Sequence, residues 1–386
     1  MTIEIREFDE TRRDEWDRYV NRSGDASLFH QYRALELQAS HSNSTLHPLV
    51  GFDNEQPIGL YPVFEVHKGP VKAAFSPPPN IGVPYLGPVM VDTDPIKRRK
   101  LERRRHQFIE GCSDWIRREI SPTYSHLRVG DYYTDMRMFQ WDGYLVTPKY
   151  TYHVDLTPDH DDLLLSFSRN ARRNIRGGDD EAGNISIGGR AELEAILSAV
   201  EDRYEEQELG FDVPPEFVCD LYDELPDGQI RPYVYTVDDE FVSGIIVVQF
   251  GETVSRWMGG VRTDRSDWVD ANDLIDWRIM TDAKREGCVR YDLVGANNRR
   301  LNRYKGKYNP KLVTFYQIEH GSLPARAAAH LYRDRISSNL TTLTESRWTI
   351  TPRQLLANVV PSLTTTYRND SSTRDVLSSN TSQNHR

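Results

Sequence analysis

The chain predicts an α/β (α+β) protein built as two related halves, each a mixed, mostly antiparallel sheet flanked by helices. Three observations lead there: the length suits two cores, one hairpin unit occurs twice, and helix then strand follow its second copy. At 386 residues the chain exceeds the usual size of a single core. The hairpin reads as an apolar run at 47–52, an acidic turn at 53–57 and a return run at 58–66. It recurs as 231–237, 238–240 and 241–248, each copy with a proline at its second residue (Pro48, Pro232) and a glycine in the return strand (Gly59, Gly244). Copies this far apart are no solenoid and indicate duplication of a whole domain.

In chain order, the Pro/Gly-rich stretch 76–88 is loop or edge backbone, and a helix follows over 95–119. A boundary near 149–158 separates a first domain, 1–150, from a second, 151–322. The second opens with a helix over 161–176, a short strand at 185–187 and a helix over 191–207. Its hairpin continues into a strand at 253–261 and a helix over 271–286 that Gly287 stops, and then come strands at 289–294 and 312–318. Beyond Pro324 a helix runs to Leu340 within a C-terminal extension, 323–361, and the Ser/Thr/Asn-rich tail 362–386 is expected to be disordered.

Composition narrows the function. No run approaches the ~18 apolar residues of a membrane helix and the N-terminus lacks a secretory pattern, so a soluble, cytoplasmic protein is expected. Cys112, Cys219 and Cys288 are odd in number and show no CxxC spacing, which points to buried thiols rather than disulfides or zinc. The net charge of −10 argues against general nucleic-acid binding, DNA included; nine lysines beside abundant Asp suit either a halophile's surface or an ordinary acidic one. The basic run 97–105 puts charge all round a helix and reads as a solvated face. No HExxH, GxxxxGK[ST] or GxSxG run occurs, so metalloprotease, P-loop and hydrolase chemistries lack support.

Four segments carry a pattern in order: Ser168-Arg169-Asn170-Ala171-Arg172-Arg173-Asn174-Ile175-Arg176; residues 204–215 with Gly210-Phe211; Tyr291-Asp292-Leu293-Val294-Gly295-Ala296; and Arg303-Tyr304-Lys305-Gly306-Lys307-Tyr308-Asn309. Together they resemble the second domain of FemAB-like transferases, and the resemblance extends over roughly residues 25 to 320. Tyrosines stand at 304 and 308 where that family has phenylalanines, Asn309 stands for its glycine, and the coiled-coil arm of the tRNA-dependent members has no counterpart. The resemblance implies two tandem GNAT-like domains and acyl or aminoacyl transfer to an amine. For an arm-less, acetyltransferase-type member it implies acetyl-CoA or another acyl-CoA as donor, no metal, and a small amine or amino sugar as acceptor, with tRNA less favoured. It also associates the motif lysine, here Lys305, with stabilising the transition state. The glycine-containing pyrophosphate turn of a standard GNAT is missing from the acidic link 262–271, so coenzyme A is implied by the family alone.

Acyl transfer to an amine needs a neutral amine, a grip on the donor and positive charge where the oxyanion forms. Lys305, expected in a short loop between two strands, supplies that charge or is a plain surface lysine. Tyr304 and Tyr308 alternate with Lys305 and Lys307, as stacking or packing rings; Tyr304 counts among the catalytic candidates, and Tyr308, Arg303 and Trp257 among the substrate- or donor-binding ones. Arg169, Arg172, Arg173 and Arg176 recur at helical spacing and form either a phosphate grip or a solvated face. The general base is Asp292, Glu319 or a water relay. Two rivals stay open: an aminoacyl-tRNA-dependent peptide-bond-forming transferase, and a non-catalytic binding protein on the same fold.

Overall fold

A computed structural model describes residues 3–68, 71–91, 97–178, 183–208, 210–260, 271–327 and 329, all within the unit Met1–Asn339. The helix expected from Pro324 to Leu340 begins at 323–327, and the rest of the extension and the tail lie outside the described residues.

In the first half β1 (Glu4–Glu7), α1 (Arg13–Asn21) and α2 (Tyr32–Ser42) precede the first hairpin, β2 (Thr45–Asp53) and β3 (Gln56–Lys68). Then come β4 (Val71–Ser76), β5 (Val89–Met90), α3 (Arg98–Trp115), β6 (Tyr124–Val129), α4 (Arg137–Trp141) and β7 (Leu145–Asp155). The second half runs α5 (His160–Ser166), α6 (Arg169–Gly177), β8 (Gly183–Ile187), α7 (Arg190–Glu206) and α8 (Pro215–Glu224). It continues with the second hairpin, β9 (Ile230–Val237) and β10 (Glu240–Phe250), then β11 (Thr253–Gly259), α9 (Ala271–Arg285), β12 (Arg290–Asp292), α10 (Arg299–Lys305) and β13 (Lys311–Gly321).

The strands form one 13-stranded sheet of order β1-β2-β3-β4-β6-β13-β7-β12-β11-β10-β9-β8, with β5 paired to β3 off this path. This order is a palindrome. In each half one parallel pair, β4 with β6 or β11 with β12, interrupts otherwise antiparallel neighbours. The sixth strand of each half comes from the other: β7 pairs with β12, and β13 pairs with β6. The expected boundary at 150 therefore falls inside a strand, and β7 and β13 also pair with each other along nine positions, Lys311↔His153 to Glu319↔Leu145.

Both expected hairpins form. The turn of the second places Asp238 and Asp239 at φ 51 and 63, the pair of left-handed residues a type I′ turn requires. The glycines in the return strands admit helices: a Cβ on Gly59 would sit 2.6 Å from the Phe108 ring of α3, and one on Gly244 would sit 2.4 Å from Ile196 of α7. Cys112, Cys219 and Cys288 are buried and unlinked, as expected. The basic run is not wholly solvated: Arg104 is buried and pairs with buried Asp53 at 2.8 Å. The helix expected over 161–176 is broken at Phe167 and Ser168. There the buried Phe167 ring requires extended backbone, Ser168 caps α6 through its hydroxyl, and the Ser168 amide donates to the Lys307 carbonyl at 2.8 Å. No described helix is long and apolar enough to cross a membrane.

Candidate active site

Strands β11 and β12 pair only at Thr253↔Arg290, Val254↔Tyr291 and Ser255↔Asp292, after which they part. The backbone leaves β12 through Val294 and Gly295, both left-handed at φ 47 and 85. That conformation is costly for a β-branched residue, on the order of 1–3 kcal/mol, and persists only when neighbours impose it. They do. The amides of Val294 and Gly295 donate to Asp292 Oδ1 (2.9 Å) and Thr151 Oγ1 (3.0 Å), while their carbonyls accept from Lys305 Nζ at 2.7 and 2.9 Å. Lys305 is 6% exposed, and burial, helped by the nearby Arg256 charge, pushes its ammonium down to about 8.

Lys305 is thus not in a loop between strands but the last residue of α10. The stretch 299–305 holds no glycine or proline, and the Asn298 side chain accepts from the Leu301 amide at 3.3 Å near the helix start. Helical spacing also replaces the expected alternation: Tyr304 and Tyr308, four apart, bring their hydroxyls to 3.0 Å, and Lys307 Nζ lies 3.7 Å from the centre of the Tyr304 ring.

Beneath the parting strands, α9 buries two carboxylates. Asp276, 0% exposed, accepts from Tyr291 (2.6 Å) and Arg256 Nε (3.1 Å) on one oxygen and from Tyr304 (2.8 Å) and Tyr308 (3.1 Å) on the other. Asp273 accepts from Tyr308 (2.9 Å) and Asn174 (2.9 Å) and pairs with Lys307. Burial and the Asp276 charge hold the three phenols well above their usual range, so they stay protonated donors. Gly260 is left-handed at φ 78, the conformation that favours glycine, and lies close beneath the Arg256 guanidinium. Asp273, Asp276, Arg256 and Asn174 were not among the sequence candidates. For the two aspartates the signal is charge on a helix side otherwise occupied by Leu274, Ile275, Ile279 and Met280.

The other face of the same strands opens into a cavity of about 280 Å³. Residues 24–30, Tyr85, Asp131 and Tyr132 line it from the first half, and Thr253, Ser255, His153, Arg290 and Asp292 line the sheet side. The pleat of β12 divides the labour: Arg290 and Asp292 face the cavity while Tyr291 between them reaches Asp276. Asp292 Oδ1 accepts from Thr151 at 2.7 Å and from the Val294 amide, and burial holds its carboxyl above the ordinary carboxylate range. His153 stands between two carboxylates, Nε2 3.7 Å from Asp292 and Nδ1 3.8 Å from Asp131.

Comparison with known proteins follows from this geometry. Residues 166–306, which hold the parting strands, both aspartates of α9 and Lys305, match the family described as "Acetyltransferase (GNAT) domain". The crystal structure of FemX superposes with a TM-score of 0.64 at 12% identity, covering 84% of this chain and 99% of that one. Residues 166–306 thus form a GNAT-type domain, within a chain that shares the fold of FemX. The same fold is shared at a TM-score of 0.51 by L-PGS from Bacillus licheniformis (12% identity; 86% and 98% covered). It is shared equally by a conserved protein of unknown function from Bacteroides thetaiotaomicron (13% identity; 82% and 99% covered). No curated protein sequence matches.

In this GNAT-type domain the sequence candidates separate. Asp292 lies on the cavity wall; Lys305 holds the turn that follows it; Tyr304 and Tyr308 are committed to Asp276. Arg169, Arg173, Arg176 and Arg303 are exposed, while Arg172 turns back to the carbonyls of Leu165 (2.7 Å) and Phe167 (3.1 Å). Trp257 is packed against Phe29 and Phe217, and its ring N–H donates to the Gly82 carbonyl at 2.9 Å. Glu319 is buried against Tyr124, eight strand positions along β13 from the His153 end, or roughly 26 Å at strand rise, so it does not join Asp292. The link 262–271, from which the sequence shows the standard pyrophosphate turn to be missing, lies outside the described residues except for Ala271. One trio among the described residues, Glu102, His106 and Asp135, has metal-ligand spacing, but Arg137 already pairs with both carboxylates and the trio is not on the cavity.

Proposed function

We propose that the chain is an N-acyltransferase that moves an acyl group, acetyl foremost, from an acyl-CoA to an amine, with amino sugars of glycan or cell-surface biosynthesis as the acceptor class. The observation that carries this is the convergence of Asp292 on the cavity and Lys305 on the adjoining strained turn, within the segment that matches the GNAT family. The cavity sets Asp25, Asp131 and Asp292 against the single guanidinium of Arg290, a balance that attracts a cationic amine. At about 280 Å³ it sits at the small end of ligand pockets, ~300–1,000 Å³, and suits a compact acceptor.

In this reading the amine binds among the carboxylates and gives up a proton on the Asp292 side. Lys305 has three N–H donors, and the carbonyls of Val294 and Gly295 take two. The third is assigned to the oxygen of the reacting acyl group, where negative charge develops. The exposed guanidiniums of Arg169, Arg173 and Arg176 are assigned to the donor's phosphates.

Purified protein incubated with acetyl-CoA and a panel of amino sugars and simple amines, read by release of free thiol, should show acceptor-dependent turnover. Failure to bind any acyl-CoA would sink the proposal. Tight tRNA binding that weakens steeply with salt would favour the aminoacyl-tRNA alternative instead.

A further inference from the structure

We infer that His153, on β7, is the group that takes the proton from the amine, with Asp292 and Asp131 as the carboxylates that hold the resulting imidazolium. This deepens the acyl-transfer reading and rests on it. The ring lines the cavity, and its side chain is 11% exposed. Each nitrogen faces a carboxylate at 3.7 or 3.8 Å. Those separations are too long for fixed hydrogen bonds and short enough for the charges to be felt, so a nitrogen remains open to a third partner.

Burial raises the Asp292 carboxyl and lowers the imidazole, so it is geometry that separates the two. Asp292 Oδ1 already takes hydrogen bonds from Thr151 and the Val294 amide, which stabilise the carboxylate and anchor it. The other charges facing His153 are Arg290 on β12, whose guanidinium lies 3.7 Å from Asp131, and Lys311 on β13, directly across the ladder. Burial and these two cations push the imidazole below its ordinary value while the two carboxylates pull it back, so the free enzyme holds a neutral ring that can accept a proton. β7, the last strand of the first half, thereby brings a base into the second half's site.

The step balances as follows. The ammonium form of the acceptor passes one proton to the imidazole, which frees the nitrogen lone pair. That lone pair forms the N–C bond to the thioester carbon while the C=O π electrons move to oxygen. Collapse restores C=O and breaks C–S, the thiolate takes the second amine proton, and the imidazolium returns its proton to water.

The test is the pH dependence of kcat/KM for the full chain and for His153→Gln and Asp131→Asn, between about pH 6 and 9, with melting temperature and acyl-CoA KM as folding controls. His153→Gln should lose about 10²–10³-fold at neutral pH and recover steadily as rising pH deprotonates the amine in solution. Asp131→Asn should move the acid limb to lower pH, because the imidazolium loses one carboxylate. If His153→Gln does not fold, the Asp131→Asn limb decides. A His153→Gln profile that superimposes on the parent, or an acid limb unmoved in Asp131→Asn, overturns the inference and leaves acyl transfer standing. A parent chain that transfers no acyl group overturns acyl transfer itself, and this assignment with it.

Discussion

The two halves put the same helix to different uses. α3 and α9 each follow the fourth strand of their half and lead into the strand that pairs parallel with it. α3 buries Phe108, Ile109, Cys112 and Trp115 against its sheet, whereas α9 buries Asn272, Asp273 and Asp276 among its apolar residues. Burying an ion costs several kcal/mol unless every lone pair is met, and an apolar substitute of equal shape is often as stable. The first half shows that this fold does well with a largely apolar helix face, the buried charge on α3 being Arg104, paired with Asp53. The charged version next to the parting strands therefore points to positioning rather than stability, since it fixes α10 and through it Lys305.

The largest effects should come from cutting both helices away from their sheets. Phe108→Ala is expected to cost about 3–5 kcal/mol by leaving a cavity over Gly51 and Gly59. Asp276→Ala should cost a similar 3–5 kcal/mol by stranding Arg256 and three phenols. Urea unfolding measures both, and the contrast lies in turnover: at temperatures where each is folded, Phe108→Ala should keep it and Asp276→Ala should lose it. Equal turnover in the two would erase the proposed difference between the halves.

Next in size is Lys305→Ala, expected to lower kcat by about 10²–10³-fold and to cost about 1–3 kcal/mol of stability by stranding the Val294 and Gly295 carbonyls. Activity unchanged in that variant would move the chemistry away from the turn at Val294.

The smallest effect is a linkage. Because Lys305 is held at about 8 in the folded state against 10.5 when free, the unfolded chain binds more protons between those values. Stability should therefore rise with pH through that window, by about 2 kcal/mol relative to Lys305→Met between roughly pH 7.5 and 9.5. Parallel stability curves would show that the lysine is solvated rather than buried.

Both hairpins, α7, α9 and β13 were legible because each shows its own period and stop signals within a short window. β7 was not, because Pro148 argues against a central strand. The structure accommodates it: β12 meets β7 only at His153–Asp155, so at Pro148 the flank away from β13 needs no amide from the ladder. Missing β7 hid His153 as a site residue. The break at Phe167 is braced by a contact between segments more than a hundred residues apart, the Ser168 amide on the Lys307 carbonyl, which no local pattern reports. Asp292 and Lys305 are singled out by the ordered motifs, whereas Asp276 lies on a helix read only for its length.

The exchange of β7 and β13 has a consequence for synthesis. As the polypeptide leaves the ribosome at ~5–20 residues per second, β6 must wait for nearly all of the second half to be translated before β13 arrives to cover its edge. Until then β6, paired to no strand but β4, presents one open edge, an invitation to wrong partners. Such long-range pairing also predicts slow, late closure of the sheet, with the two halves maturing together rather than in turn.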